Sequence, residues 1–457
     1  MTRHPIRPHV VLLTCCLSLF IVMMDVTIIN IVLPSIHRAF GGPLATLQWV
    51  VDAYSLVVAS GLMLGGALAD RFGRRRIFMT GLVMFSIGSV LCGLAWDAVT
   101  LVLARAVQGV GGAMLNPVAL SIISSVFREP VARARAIGVW GAMSGVALGV
   151  GPLVGGVLTA SVGWRAVFWV NVPIGLAAWT LSRLFIPESR AERPRPIDVP
   201  GQLTAALVQL CVIAGLIEWP RHGADGLVVA LCVGAASSAI GFVVVERRVR
   251  APMIDLASFR SLPLVSALLT AICVFAIFGG FLFLNTLYLQ DVRGLTPLRA
   301  GLCTVPAAVG IVGGAVLSGR LLGRFGARVP LLVSAFGLAT GLLVLLVVGP
   351  ATPWAVVFSA YGLSGLGYGM ANAPITNAAI GGLPPERSGV AAGMASTSRQ
   401  IGASLGVAVS GSLIASATTA GAMVAASHTM WRLSLGLVGV MVVLACAAGM
   451  KRPPAGD

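Results

Sequence analysis

Charge is scarce in this sequence. Charged residues make up 10% of the 457-residue chain and hydrophobic residues 57%, whereas a soluble domain carries about 25% charged residues. That shortage excludes an ordinary soluble domain and points to a membrane protein. Lysine is nearly absent: Lys451 is the one lysine among 31 basic residues. Cysteine pairs at functional spacing are also lacking. Cys15, Cys16, Cys92, Cys211, Cys232, Cys273, Cys303 and Cys446 all fall in apolar runs and form no C-x-x-C pair. They exclude a secreted disulfide framework and are read as small packing residues. Histidine is missing from the apolar runs, since His4, His9, His37, His222 and His428 map to ends or loops; a histidine proton relay is not expected. No paired catalytic carboxylates, metal-ligand cluster or nucleotide loop occurs, and no polar stretch is long enough for a soluble domain. An enzyme is therefore not expected, nor a cofactor or metal.

Long apolar runs are what the chain has in abundance. A membrane helix needs about 20 apolar residues to cross about 30 Å of hydrocarbon. By that measure fourteen spans are predicted, beginning near Val10, Gln48, Ile77, Ala98, Ala134, Trp164, Val199, Asp225, Leu264, Arg299, Val329, Trp354, Arg387 and Trp431. Arg3 and Arg7 ahead of the first run suggest a signal peptide. That run is longer than a signal peptide's, contains Asp25 and lacks a small-x-small cleavage site, so it is read as a retained span. An even number of spans puts both termini on one side. Arginine says which side. Arg38, Arg165, Arg221, Arg293, Arg299 and Arg432 map outside, Arg105 and Arg399 lie within spans, and all other basic residues fall inside if the termini are cytoplasmic. That is the positive-inside pattern. The formal charge of +16 is thus a topology signal, and a nucleic-acid partner is excluded.

Two stretches recur. Gly66-Ala-Leu-Ala-Asp-Arg-Phe-Gly-Arg-Arg75 after span 2 returns as Gly319-Arg-Leu-Leu-Gly-Arg-Phe-Gly-Ala-Arg328 after span 10. Gly109-x-Gly111-x-x-Met114-x-Asn116 in span 4 returns as Gly365-x-Gly367-x-x-Met370-x-Asn372 in span 12, at nearly the same separation. Both copies sit on the same membrane side, so the repeat is parallel. It pairs spans 1–6 with spans 9–14 and leaves spans 7 and 8 as an insertion. The expected organisation is a six-helix bundle over 1–186, an inserted hairpin with flanking loops over 187–263, and a second six-helix bundle over 264–457. The fold class is an all-α integral membrane protein with fourteen transmembrane helices.

Several motifs, in order along nearly the whole chain, carry a family likeness. Gly66 to Arg76 reads G-A-L-A-D-R-F-G-R-R-R, and span 4 contains Leu103-Ala-Arg105-Ala-Val-Gln108-Gly109-Val-Gly111. Span 5 contains Gly138-x8-Ala147-x3-Gly151-Pro152-x2-Gly155-Gly156, with alanine where the pattern has glycine at 147. Asp25-Val-Thr27-Ile-Ile-Asn30-Ile-Val-Leu33-Pro34 and Gly163-Trp164-Arg165 through Asn171-Val-Pro173 add features of one branch. The chain resembles the fourteen-span drug:proton antiporters of the major facilitator superfamily. The resemblance implies alternating access, a proton-transfer motif around Arg105 and an antiporter motif at Gly138, Gly151, Pro152, Gly155 and Gly156. It also implies a conformational gate formed by Gly66, Asp70, Arg71, Gly73, Arg74 and Arg75. The second copy has Gly323 where Asp70 stands, so such a gate is asymmetric; plain positive-inside anchoring explains the arginines but not the aspartate.

The residues support a coupling site independently. A carboxylate inside a membrane helix usually faces a cavity or a partner. Asp25 precedes Leu33 by eight residues and Arg105 follows Asp97 by eight, which places both about 12 Å below the outer surface. Burial disfavours a carboxylate's charge and a guanidinium favours it, so a change in either can load or release a proton. A static ion pair is the competing reading. Asp52, just inside span 2, is either a second acidic site or a rim residue. Helical spacing puts Arg105, Gln108, Gly112 and Asn116 on one face of span 4, Phe278, Phe281, Asn285 and Tyr288 near one face of span 9, and Tyr361, Tyr368 and Asn372 on one face of span 12. Aromatics mixed with single polar groups suit a lipophilic ligand, although helix packing produces such faces too. Arg399 is a further intramembrane cation with no partner evident. The expectation is a monomeric proton-coupled antiporter in the cytoplasmic membrane, exporting small lipophilic drugs, antiseptics or antibiotics. The alternatives are a dedicated exporter of an endogenous metabolite or a proton symporter importing a small solute.

Overall fold

The computed structural model describes residues 7–190, 197–249, 252–383 and 388–448. It divides into two compact units, Met1–Met253 with Leu295–Leu302, and Ile254–Gly294 with Cys303–Asp457. Unit 1 holds α1 (Pro8–Phe40), α2 (Leu44–Phe72), α3 (Arg74–Leu94), α4 (Ala98–Val126), α5 (Pro130–Ser161), the short α6 (Ala166–Trp169), α7 (Asn171–Phe185), α8 (Val199–His222) and α9 (Gly226–Arg248). It also takes most of α11 (Pro297–Cys303). Unit 2 holds α10 (Leu262–Leu287), α12 (Val305–Phe325), α13 (Arg328–Leu345), α14 (Trp354–Gly381), α15 (Ser388–Ile414) and α16 (Ala420–Ala448).

Local chemistry sets many of the boundaries. Proline opens α1, α8, α10 and α12 at the first two positions, where its missing N–H is not needed. The Asp97 carboxylate caps α4 by accepting from the Thr100 N–H, and Asp198 and Asp225 cap α8 and α9 in the same way. Between α2 and α3 the chain turns on Gly73 at φ +113°, a left-handed angle that side chains resist.

Twelve helices of the described chain are long and apolar enough to cross a membrane. α14 and α15 are as long, at 28 and 27 residues, but glycine, serine and polar groups dilute their apolarity. The predicted start near Arg387 lies outside the described residues. Two boundaries differ from the sequence reading. α1 runs through Pro34 to Phe40, so Asp25 lies mid-helix rather than near its end. α16 begins at Ala420, not near Trp431, which brings His428 inside the helix with its Nε2 2.9 Å from the Val348 carbonyl. Only Val228 and Glu246 of α9 are buried. A surface so apolar is unstable in water and suits contact with lipid.

The two glycine motifs pack alike. A Cβ at Gly109 would meet the Tyr54 carbonyl of α2, and one at Gly111 would meet Phe85 of α3. In unit 2, Gly365 faces Ala307 of α12 and Gly367 faces Leu338 of α13. Each helix is thus seated against two neighbours at backbone distance, as small residues allow in membranes.

Candidate functional site

Five helices of unit 1 contribute to a network around one carboxylate. Asp25 on α1 is fully buried, and so is Arg105 on α4, at 1% exposed. One Arg105 Nη donates to Asp25 Oδ2 at 2.5 Å and to Gln108 Oε1 at 2.6 Å. The Arg105 Nε donates to the Val50 carbonyl of α2 at 3.1 Å, and the guanidinium carbon stands 4.4 Å from the centre of the Tyr54 ring. Gln108 donates to Asp25 Oδ1 at 2.8 Å and to Ser89 Oγ of α3 at 2.9 Å. Asn171, at the start of α7, reaches the same two atoms at 3.2 and 3.3 Å.

Two opposite charges out of water are costly unless every lone pair and proton finds a partner. Here the carboxylate accepts from Arg105, Gln108 and Asn171. The guanidinium has a second class of partner besides: two neutral acceptors, the Val50 carbonyl and Gln108 Oε1, and the Tyr54 ring face. A cation over an aromatic ring in a dry site gains about 2 kcal/mol. The site can therefore lose the negative charge on Asp25 without stranding Arg105. The sequence brought Asp25, Arg105 and Gln108 into view. Tyr54 and Ser89 carried no signal, and Asn171 was visible only as part of the Asn171-Val-Pro173 motif. Asp52 is likewise fully buried on α2, two residues beyond Val50. Asn116, one turn beyond Gly112, is half-buried.

The turn at Gly73 is a second cluster. Arg74 pairs with Asp70 at 3.1 Å and reaches the Ser121 carbonyl. Glu188, beyond the end of α7, accepts from the Arg75 backbone N–H at 3.1 Å and lies 3.8 Å from the Arg76 guanidinium. Arg75 also donates to the Ile186 carbonyl. A Cβ on Gly73 would fall 2.6 Å from Glu188 Oε1, so the turn needs glycine for space as well as angle. Glu188 was not singled out in the sequence. Its place beside an exposed N-terminus of α3 explains it, because a carboxylate satisfies N–H groups that the helix leaves free. Gly66 makes only ordinary contact with Pro117, and Arg71 lies over Phe72. At the second copy, among the described residues, no ion pair forms.

The span 5 glycines have different surroundings. A Cβ at Gly151 would collide with Thr27 Oγ1, and one at Gly155 with Ile28 and Ile31, so α5 lies directly on α1. Gly156 faces Pro297 and Leu298 of α11, and the Pro152 carbonyl faces Gly301. Gly138 meets nothing within 4 Å.

In unit 2 the cavity candidates form an aromatic cluster. Phe278 stacks on Tyr368 with centroids 3.7 Å apart, and Phe281 meets Tyr361 edge-on at 5.2 Å. Behind them lies a cavity of about 20 Å³ lined by Phe278, Phe281, Leu342, Ser364 and Tyr368 among others, room for one water. Asn285 donates to the Phe281 carbonyl of its own helix, and Tyr288 donates to the Gly349 carbonyl at 2.9 Å. These bonds tie Asn285 to its own helix and Tyr288 to the backbone at Gly349. Asn372 is half-buried. Among the described residues, no group of three His, Cys, Asp or Glu side chains is placed to hold a metal.

Known proteins align with this chain along most of its length. The sequence profile described as the Major Facilitator Superfamily matches residues 15–407. The "Multidrug resistance protein Stp" of Mycobacterium tuberculosis is 40% identical over 403 residues, covering 87% of this chain and 74% of that one. The "Tetracenomycin C resistance and export protein" of Streptomyces glaucescens is 35% identical, covering 90% and 76%. The "Puromycin resistance protein pur8" of Streptomyces alboniger is 37% identical, covering 88% and 80%. Among solved structures, the human organic anion transporter MFSD10 (TETRAN) superposes with a TM-score of 0.64 at 15% identity, over 95% of this chain and all of that one. At that identity the likeness concerns the fold.

Proposed function

The chain belongs to the Major Facilitator Superfamily, and from that premise we propose that it exports small lipophilic drugs or antibiotics across the cytoplasmic membrane in exchange for protons. Relatives named for multidrug, tetracenomycin C and puromycin resistance support the export half of this reading. The observation that carries the coupling half is the buried Asp25–Arg105–Gln108–Asn171 network. Asp25 is the proton carrier. Uptake of a proton removes its charge and loosens its hold on α4 and α7, while Arg105 stays on Val50, Gln108 and the Tyr54 face. The packing of α1 against α4, α5 and α7 then changes its electrostatic content with the protonation state. That is the kind of bistable element alternating access needs.

The remaining features fit the same reading. α14 and α15 join the twelve apolar helices as membrane spans, which gives fourteen spans with both termini cytoplasmic. The Asp70–Arg74 and Glu188–Arg76 contacts serve as a cytoplasmic latch for one state. The close seat of α5 on α1 and α11 keeps protons from leaking.

Inverted vesicles test the proposal. They are energised with a proton gradient and given lipophilic dyes and antibiotics while internal pH is followed. Substrate-triggered proton release in the wild type, absent in Asp25→Asn, is the expected result. Unchanged proton flux in Asp25→Asn would remove Asp25 as carrier and direct attention to Asp52. No response to any compound in the wild type would count against drug export.

A further inference from the structure

Unit 2 contains an intramembrane cation that the coupling mechanism does not use. Arg399 lies twelve residues into α15 (Ser388–Ile414). One Nη donates to Thr376 Oγ1 on α14. The guanidinium carbon stands 5.9 Å from the Phe275 ring centre on α10. Phe275 in turn meets Tyr368 edge-on at 5.1 Å, and Tyr368 stacks on Phe278. Among the described residues no carboxylate pairs with Arg399, and its Nε–H is shielded from solvent with no hydrogen-bond partner. The contrast with Arg105 is direct, since that guanidinium has Asp25 at 2.5 Å.

A charge inside a membrane protein is retained only where something offsets it. A hydroxyl and a ring face offset part of the cost. They leave the Nε–H covered and without a partner among the described residues; once uncovered, that edge with a neighbouring Nη takes a carboxylate in two parallel hydrogen bonds. Arg399, Thr376 and Phe275 are each only partly buried, whereas Tyr368 and Phe278 behind them are buried. The cationic side is thus partly exposed, apart from the covered Nε, and the aromatic side is closed. We infer that Arg399, Thr376 and the Phe275–Tyr368–Phe278 aromatics form a binding site for a planar aromatic monoanion. Its carboxylate or phenolate sits on the guanidinium and its ring lies against Phe275. This rests on the export reading above and narrows its substrate class to aromatic acids.

The test measures binding, apart from transport. Purified full-length protein in phosphatidylcholine nanodiscs is titrated with 2-naphthoate and with 2-naphthamide, which share a ring and differ in charge. The wild type is expected to favour the acid at least roughly tenfold, the scale of a hydrogen bond to a charged group. Arg399→Gln loses the preference, and Arg399→Lys keeps part of it. No preference in the wild type, or full preference in Arg399→Gln, overturns the assignment. Where Arg399→Gln does not fold, the wild-type ratio and its partial retention in Arg399→Lys decide. Phosphatidylglycerol added to the discs separates the two sources of an anion. An unchanged preference keeps the site for a soluble acid, and its loss makes a lipid headgroup the occupant and overturns the assignment. Dye export by the same protein in vesicles tells the two readings apart. Export without acid preference sinks the site alone; acid preference without export sinks the export reading alone.

Discussion

α4 and α14 are copies of one helix given opposite chemistry. In α4, Arg105 and Gln108 stand just before Gly109; in α14, Tyr361 and Ser364 hold the same places before Gly365. The backbone seats match, with the glycines of each helix pressed on two neighbours. The side chains between those seats do not. Arg105 and Gln108 enter a network in which the charges and the Gln108 amide are all partnered. Tyr361 meets Phe281, Ser364 lines a small void with Phe281 and Tyr368, and each buries a hydroxyl with no hydrogen-bond partner among the described residues. The lesson is that glycine contacts fix how the helices pack, and the residues between them are free to specialise. One copy took on charge, and the other took on aromatic surface.

The largest effect that would sharpen this contrast is expected at Arg105. Removing one partner of a buried ion pair leaves the other uncompensated and costs about 3–5 kcal/mol. Arg105→Leu should therefore lower the thermal midpoint of the purified protein by more than any single overpacking or surface-charge change. Replacing both members, Asp25→Leu with Arg105→Leu, should recover much of that loss while abolishing coupled transport, because an apolar pair needs no partners. A double variant no more stable than Arg105→Leu alone would mean that the network is held by packing and not by charge.

Next comes a change that both copies should feel, though unequally. Gly155 of α5 faces Ile28 Cγ1 and Ile31 Cγ2, at 2.8 and 2.5 Å from an added Cβ, with the Ile28 carbonyl at 3.3 Å. Gly406 of α15 faces the Ala276 carbonyl and the Gly280 backbone nitrogen. Isoleucine γ carbons are stiff in a helix but still give way more readily than backbone held in a neighbouring helix. Gly406→Ala is expected to cost about 1–3 kcal/mol, the usual range for overpacking, and Gly155→Ala clearly less. Equal effects in a thermal-shift comparison would contradict the difference in what the two glycines touch.

How much of this was legible in the sequence follows from what each signal measures. Apolar runs and arginine placement report the bilayer, so the all-helical membrane class and most helix positions could be read directly. The helix ends were harder. α1 continues past Pro34 and α16 starts ahead of Trp431, because helices extend beyond the hydrocarbon and hydropathy does not register the extension. Asp25 and Arg105 stood out because charge is rare in such runs. Tyr54, Ser89 and Glu188 did not, since an aromatic, a serine and a loop carboxylate are ordinary at those places in a sequence. Their importance arises only when α2, α3 and the segment after α7 are brought beside the charged groups. Asn285 and Tyr288 carry contacts that spacing does not reveal. Helical spacing put them on one face with Phe281, and the structure adds hydrogen bonds from them to the Phe281 and Gly349 carbonyls.

A smaller effect is expected at the Gly73 turn, where the two copies differ by Asp70 against Gly323. The Asp70 and Arg74 side chains are 31% and 20% exposed. A pair so placed contributes at most about 1 kcal/mol and is weakened by salt. Asp70→Asn should shift the thermal midpoint little, and less in high salt, while slowing transport. A large salt-independent loss of stability would make the turn a folding element and not a gate.

The smallest effect, and the most direct test of the comparison, lies at Tyr361. Its ring is fully buried against Phe281, and its hydroxyl has no partner among the described residues. A buried hydroxyl without a hydrogen bond carries its desolvation cost with no return, so removing it is neutral or stabilising. Tyr361→Phe keeps the ring and deletes only the oxygen. It should leave the midpoint unchanged or raise it slightly, by less than about 1 kcal/mol, whereas truncation at the matching Arg105 is ruinous. A marked loss on Tyr361→Phe would mean that the hydroxyl has a partner in the working protein, such as a bound water. The second copy would then hold a polar network of its own, and the division of labour between α4 and α14 would be one of degree.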